Sequence, residues 1–227
     1  MSQSRISPLV DETREPCVCG FLHVPESSSG DGLVLTHGAG ADCQSLLLVA
    51  LADAFCESGL TVLRCDLPFR QGHPHGPPPR GSAARDQEGL RHVVEIMRRQ
   101  VSGRLFLGGH SYGGRQSTML AAAEPGLADG LLLLAYPLHP PRKPEQLRID
   151  HFPDLRTPAL FVHGSRDGFG STEEVREKLK LIPARTELVT IQGAGHDLVS
   201  AKTVGAVTAT VVEAFGRFNG RPYRALS

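Results

Sequence analysis

The 227-residue chain sets 24 Lys+Arg against 24 Asp+Glu and is 40% hydrophobic and 21% charged. This ordinary composition, with a formal net charge of +0, lacks the basic footprint of a nucleic-acid binder or of a protein drawn to an anionic membrane. No apolar run approaches the ~20 residues of a membrane-spanning helix, and the opening MSQSRISPLVDETRE lacks the apolar stretch of a signal peptide.

A cytosolic protein with no nucleic-acid or membrane partner is therefore expected. The length favours a single α/β domain over 1–227, enough to bury roughly 70–75% of its unfolded surface. Cys17, Cys19, Cys43, Cys56 and Cys65 are odd in number and lack C-x-x-C spacing. They fit neither a disulfide framework nor a zinc site, and read as packed or half-exposed thiols in a reducing compartment.

In chain order, residues 4–24 read as two short strands and 27–32 as a turn. Leu33 to Thr36 is a buried strand, closed by the loop His37-Gly38-Ala39-Gly40. Leu46, Leu47, Ala50, Leu51, Ala54 and Phe55 recur at helical spacing, and Gly59 supplies the stop. Leu60 to Cys65 is a second buried strand. The segment from Arg70 to Arg80, with four prolines and two glycines, is expected to be irregular.

Leu90, Val93, Val94, Met97 and Val101 mark an amphipathic helix. A strand from Arg104 then runs into GGHSYGG, and Arg115 to Ala123 reads as a helix. Leu131 to Ala135 is an apolar strand, and the proline-rich 137–153 leaves room for a turn or one short helix. Pro158 to Val162 is a strand leading to HGSRDGFG. Ser171 and Glu174 spell a capping box. Glu187 to Ile191 is the last strand, leading to GAGHDL, and Val204, Val207, Val211, Phe215 and Phe218 mark a final helix.

Strand and helix alternate, which predicts a doubly wound, mostly parallel sheet with helices on both faces. Active sites of such sheets lie beyond the carboxyl ends of the strands. The loops carrying His37–Gly40, Ser111, Asp167 and His196 all sit there.

Gly109-His110-Ser111-Tyr112-Gly113 fits G-x-S-x-G, the nucleophile elbow, which exposes a serine on a strained strand-to-helix turn. A serine hydroxyl attacks at neutral pH only if a base takes its proton. His196 is the candidate base and Asp167 the carboxylate that would fix its tautomer. The chain order Ser111, Asp167, His196 is that of α/β-hydrolases rather than of chymotrypsin or subtilisin. Oxyanion donors are expected at the Tyr112 N–H and on the loop after the first buried strand, at Ala39 ahead of Gly40.

Other readings compete at several positions. Gly38-x-Gly40 could open a dinucleotide loop, but the third glycine would fall at Cys43. His37 is expected to orient the oxyanion loop. His110 is expected to point away along its strand, and both it and His163 to pack or hydrogen-bond. Asp197 adjoins the base and is badly placed to bond its ring. His73, His75, His139 and His151 are read as exposed loop residues, so neither metal nor other cofactor is expected. Arg70, Arg80, Arg115, Arg142, Lys143 and Arg148 could favour an anionic substrate, although most are read as solvated surface charges.

The landmarks LTHGAGA, RCDLPFR, GGHSYGGR, AYPLHPPRKPEQLR, HGSRDGFG and GAGHDL resemble a bacterial member of the predicted α/β-hydrolases related to the KANSL-type and testis-expressed hydrolase-like proteins, near the dienelactone hydrolases. They run from about Leu33 to His196, most of the chain. The resemblance implies an α/β-hydrolase fold with a minimal cap or none, and Ser111, Asp167 and His196 as its triad. The chain departs from the pattern at His110-Ser111-Tyr112, where relatives often carry Lys-Ser-Met, and at Gly168, where proline is frequent. Dienelactone hydrolases proper use a cysteine nucleophile, and the elbow here holds serine. The expected function is a serine hydrolase, esterase- or thioesterase-like, acting on a small-molecule acyl substrate. The alternatives are an inactive binding or scaffold protein on this fold, or a peptidase or acyltransferase using the same triad.

Overall fold

A computed structural model describes residues 4–221 and 223. The chain opens with an antiparallel hairpin, β1 (Arg5–Asp11) and β2 (Val18–Val24), in which Leu9 faces Gly20. Then follow β3 (Gly32–Thr36), α1 (Leu46–Glu57), β4 (Thr61–Asp66), α2 (Pro68–Gly72), α3 (Ala83–Gln100), β5 (Leu105–His110) and α4 (Tyr112–Ala123). The second half is β6 (Gly130–Leu134), a 3-10 turn (Phe152–Asp154), β7 (Ala159–Gly164), α5 (Thr172–Leu179), β8 (Thr186–Ile191) and α6 (Val204–Phe218).

Among the described residues, eight strands join one sheet in the order β1-β2-β4-β3-β5-β6-β7-β8. Only the β1–β2 and β2–β4 pairings are antiparallel; the rest run parallel. The order reverses beside β3, and β5 lies between β3 and β6 with Leu107 opposite both Val34 and Leu131. Parallel strands covered on both faces should be apolar at every position, and β3 and β6 are buried throughout. Leu131 and Leu133 join Val94, Met97, Leu120 and Val175 of α3, α4 and α5 on one face. Leu132 and Leu134 join Leu48, Phe55, Val211 and Phe215 of α1 and α6 on the other. Each such side chain contributes about 1.5–3 kcal/mol by leaving water.

The elements follow the predicted order, with corrections at their edges. Proline at the first helical position is preorganised for a helix, and α2, starting at Pro68, takes Arg70 to Gly72 out of the segment expected to be irregular. The helix after the serine begins at Tyr112, not Arg115, because β5 runs through both glycines to His110 before the chain turns. The capping box at Ser171 and Glu174 is formed in both directions. The 137–153 stretch holds only the start of the 3-10 turn, so among the described residues it builds no cap over the sheet edge. Among the described residues no helix is long and apolar enough to cross a membrane.

Candidate active site

Ser111 is the residue between β5 and α4, with φ 48° and ψ −113°. A positive φ at a residue other than glycine costs about 1–3 kcal/mol and persists only where its surroundings impose it. Here Ser111 N–H donates to Leu134 O at 2.8 Å, and its carbonyl accepts from Arg115 N–H at 3.0 Å. The flanking glycines permit the turn. A Cβ on Gly109 would run into Thr36 O, and one on Gly113 would lie 2.6 Å from His37 O. The elbow is thus pressed against the end of β3.

His196 and Asp167 arrive from the loops after β8 and β7. Those two loops are tied together: Ser165 N–H donates to Ile191 O at 3.1 Å and Arg166 N–H to Ala194 O at 2.9 Å. His196 Nε2 lies 2.8 Å from Ser111 Oγ, and its Nδ1 lies 2.9 Å from Asp167 Oδ2. The carboxylate accepts at Nδ1, so Nδ1 carries the proton and Nε2 is free to accept the serine O–H. The Asp167 side chain is fully buried, while that of His196 is 20% exposed. Phe169 serves both partners. Its N–H donates to Asp167 Oδ1 at 2.8 Å, and its ring stacks on the His196 imidazole with centroids 3.9 Å apart. Asp197 is exposed beside His196 and takes no part in this chain of bonds.

His37 is buried and neutral, burial being the main cause that holds its pKa below the ordinary value. Its Nε2 accepts Leu67 N–H at 3.0 Å, and its Nδ1–H donates to Gly38 O at 2.9 Å. In a trans peptide the N–H points opposite to the preceding carbonyl. Fixing Gly38 O on the His37 side therefore aims Ala39 N–H the other way. Among the described residues neither Ala39 N–H nor the first helical N–H, that of Tyr112, finds an acceptor. Ala39, Ser111 and Tyr112 line the same cleft.

The residues around this core answer differently from their sequence reading. His110 does not point away: its Nε2–H donates to His196 O at 2.8 Å. His163 Nε2–H donates to Gly170 O at 2.8 Å and lies 3.7 Å from Asp167 Oδ2. His73 and His75 are exposed as expected, but His139 is buried and His151 is half-buried on Thr118. Arg70 is no free charge. It is buried and donates to the carbonyls of Ala39, Ala41, His73 and Gly76. Arg80, Arg142 and Lys143 are exposed, whereas Arg115 and Arg148 line the cleft.

Sequence reasoning missed two residues. Asp86 on α3 is buried, accepts Tyr112 O–H at 2.7 Å and Phe69 N–H at 2.9 Å, and so anchors the residue after the serine. Burial pushes its carboxyl pKa up. Nothing local in a helical first turn announces that role. Phe169 was open to notice, since it stands two residues from Asp167 in HGSRDGFG. The cleft itself measures about 570 Å³ and is walled by Ala39, Ala41, Pro77, Pro78, Pro137 and Phe169.

Three solved structures show the same fold. A dienelactone hydrolase from Anabaena variabilis aligns at 19% identity over 97% of this chain and 100% of its own, with TM-score 0.73. Est1E from Butyrivibrio proteoclasticus, with ferulic acid bound, aligns at 19% identity over 94% and 100%, with TM-score 0.75. XC6422 from Xanthomonas campestris, an a/b serine hydrolase without a lid, aligns at 19% identity over 96% of both chains, with TM-score 0.74. The expected nearness to dienelactone hydrolases thus has a counterpart in fold. A family model described as an alpha/beta hydrolase domain matches residues 30–217, and with that match the chain belongs to the alpha/beta hydrolase family.

Proposed function

We propose that this chain is a serine hydrolase of small acyl esters or thioesters, with Ser111 as nucleophile, His196 as base and Asp167 as its orienting carboxylate. The observation that carries the reading is the unbroken chain of bonds from Ser111 Oγ to His196 Nε2, 2.8 Å, and from His196 Nδ1 to Asp167 Oδ2, 2.9 Å. It lies at an open cleft rather than in the core.

In this reading Ser111 Oγ attacks the acyl carbon as His196 Nε2 takes its proton. The carbonyl oxygen becomes an oxyanion received by the N–H groups of Ala39 and Tyr112, each typically worth ~3 kcal/mol in the transition state. Asp167 stabilises the imidazolium without accepting its proton. The imidazolium protonates the leaving alcohol or thiol, which leaves an acyl-Ser111 intermediate. Water, deprotonated by His196, then attacks the acyl carbon; the acyl–Oγ bond breaks, the imidazolium returns its proton to Ser111 Oγ, and the carboxylic acid leaves.

A fluorophosphonate probe tests the proposal on the folded chain. Covalent labelling of the wild type, its absence in Ser111→Ala, and turnover of a short-chain 4-nitrophenyl ester are the expected results. A folded wild type that neither labels nor turns over any ester of a chain-length series overturns it.

A further inference from the structure

Arginines inside this protein have partners. Among the described residues, the arginines that are not exposed include Arg64 on His23 and Cys43 O, Arg70 on four carbonyls, Arg91 on Glu88 and Glu124, and Arg104 on Asp31. Arg115 and Arg148 break the pattern. Both are half-buried in the wall of the cleft that holds Ser111. Among the described residues neither guanidinium has a carboxylate within 4.0 Å. Arg115 Nε is buried with no hydrogen-bond partner at all. Asp197 on the same cleft is exposed and pairs with neither.

Their backbones are held in place. Arg115 sits one helical turn after Ser111, its N–H bonded to the Ser111 carbonyl at 3.0 Å. Arg148 N–H donates to Leu138 O at 2.9 Å, and Arg148 O accepts Tyr136 O–H at 2.7 Å. The two cations also feel each other. Burial first, and then the charge of Arg115, push the Arg148 pKa below the usual arginine value. Two like charges that leave water without a counter-ion are costly, and a bound anion relieves both the repulsion and the unmet donor.

We infer that Arg115 and Arg148 form an anion subsite, and that the ester hydrolysed at Ser111 carries a carboxylate or phosphate held by these two guanidiniums. The inference rests on the serine-hydrolase reading above. Guanidinium forks present parallel N–H donors to either anion. The prolines 77, 78 and 137 and the Phe169 ring give the remaining wall an apolar surface, suited to a short hydrocarbon spacer between anion and ester.

The test compares 4-nitrophenyl valerate with the 4-nitrophenyl monoester of glutarate, corrected for spontaneous hydrolysis. For the wild type, kcat/KM for the anionic ester should exceed that for the neutral one at least tenfold. Arg115→Met and Arg148→Met should each lower this ratio at least tenfold, and the corresponding lysine variants should keep part of it. A wild-type ratio of one or less, or a ratio unmoved in well-folded methionine variants, overturns the inference. Free glutarate and inorganic phosphate are then titrated calorimetrically into Ser111→Ala, where no turnover is needed. The tighter of the two identifies the anion, and neither binding at millimolar concentration also overturns the inference. Anion binding without ester turnover leaves the subsite standing and removes the hydrolase reading. Valerate turnover without anion binding does the reverse.

Discussion

Arg70 Nη2 donates to the carbonyl of Ala39 at 2.7 Å, across 31 positions of sequence. The same guanidinium holds Ala41 O at 2.8 Å, so a buried cation just after β4 clamps the loop just after β3. His37 fixes the peptide ahead of Ala39 from the other side through Gly38 O. The proposed oxyanion donor is therefore held by two side chains that are not among those lining the cleft.

Replacing Arg70 should loosen that loop without removing any reacting group. For Arg70→Met we expect kcat on a short-chain ester to fall by about tenfold to a hundredfold, the scale of a weakened oxyanion donor. Arg70→Lys should restore little, since one ammonium cannot span four carbonyls. Steady-state kinetics on both variants, beside their thermal midpoints, check this; full activity in Arg70→Met would contradict it.

The Asp167–His196 bond makes a separate prediction. In Asp167→Asn an amide N–H would face Nδ1 and favour the wrong tautomer, leaving a proton on Nε2 where the serine needs an acceptor. The expected loss in kcat is about 10⁴-fold, with probe labelling slowed in parallel. Labelling at the wild-type rate would show that Asp167 does not orient the base.

Gly113 carries a steric prediction. The Cβ of Gly113→Ala would sit 2.6 Å from both His37 O and Thr36 Cγ2, and the first of these is backbone that cannot swing aside. Overpacking of this kind costs about 1–3 kcal/mol, and here the shift would also displace Ser111. Urea unfolding should show the lost stability and an ester assay a larger loss of rate. A variant with wild-type values of both would mean that the end of β3 yields freely.

Acid should destabilise the fold through histidines that are buried or half-buried. His23, His37, His110 and His151 all have pKa values below the ordinary 6.5, burial being the largest cause in each, and His151 is pushed down to about 4. A folded state that refuses a proton the unfolded chain accepts is fully stable above pH 6.5 and loses stability as pH falls below it. For His151 the loss is complete near pH 4. The urea midpoint should decline from pH 7 to pH 4.5, and His151→Gln, which can still bond Thr118, should flatten part of the slope. A flat midpoint over that range would contradict this.

The α/β architecture was legible in the sequence because its signals are local. Hydrophobic period, glycine stops, the Ser171–Glu174 capping box and the G-x-S-x-G turn each lie within a few residues, and each formed where it was read apart from small shifts of boundary. The positions of Ser111, Asp167 and His196 were legible too, because a parallel sheet sends the end of every such strand to one edge. What each charged side chain faces was not legible. Arg70 and Arg115 look alike in sequence, yet one is spent on four carbonyls and the other has a buried nitrogen with no partner. Tyr112 finds Asp86 across 26 residues, and His151 leaves solvent for Thr118 across 33. Burial and pairing are set by which distant segments pack together, and local sequence does not encode that.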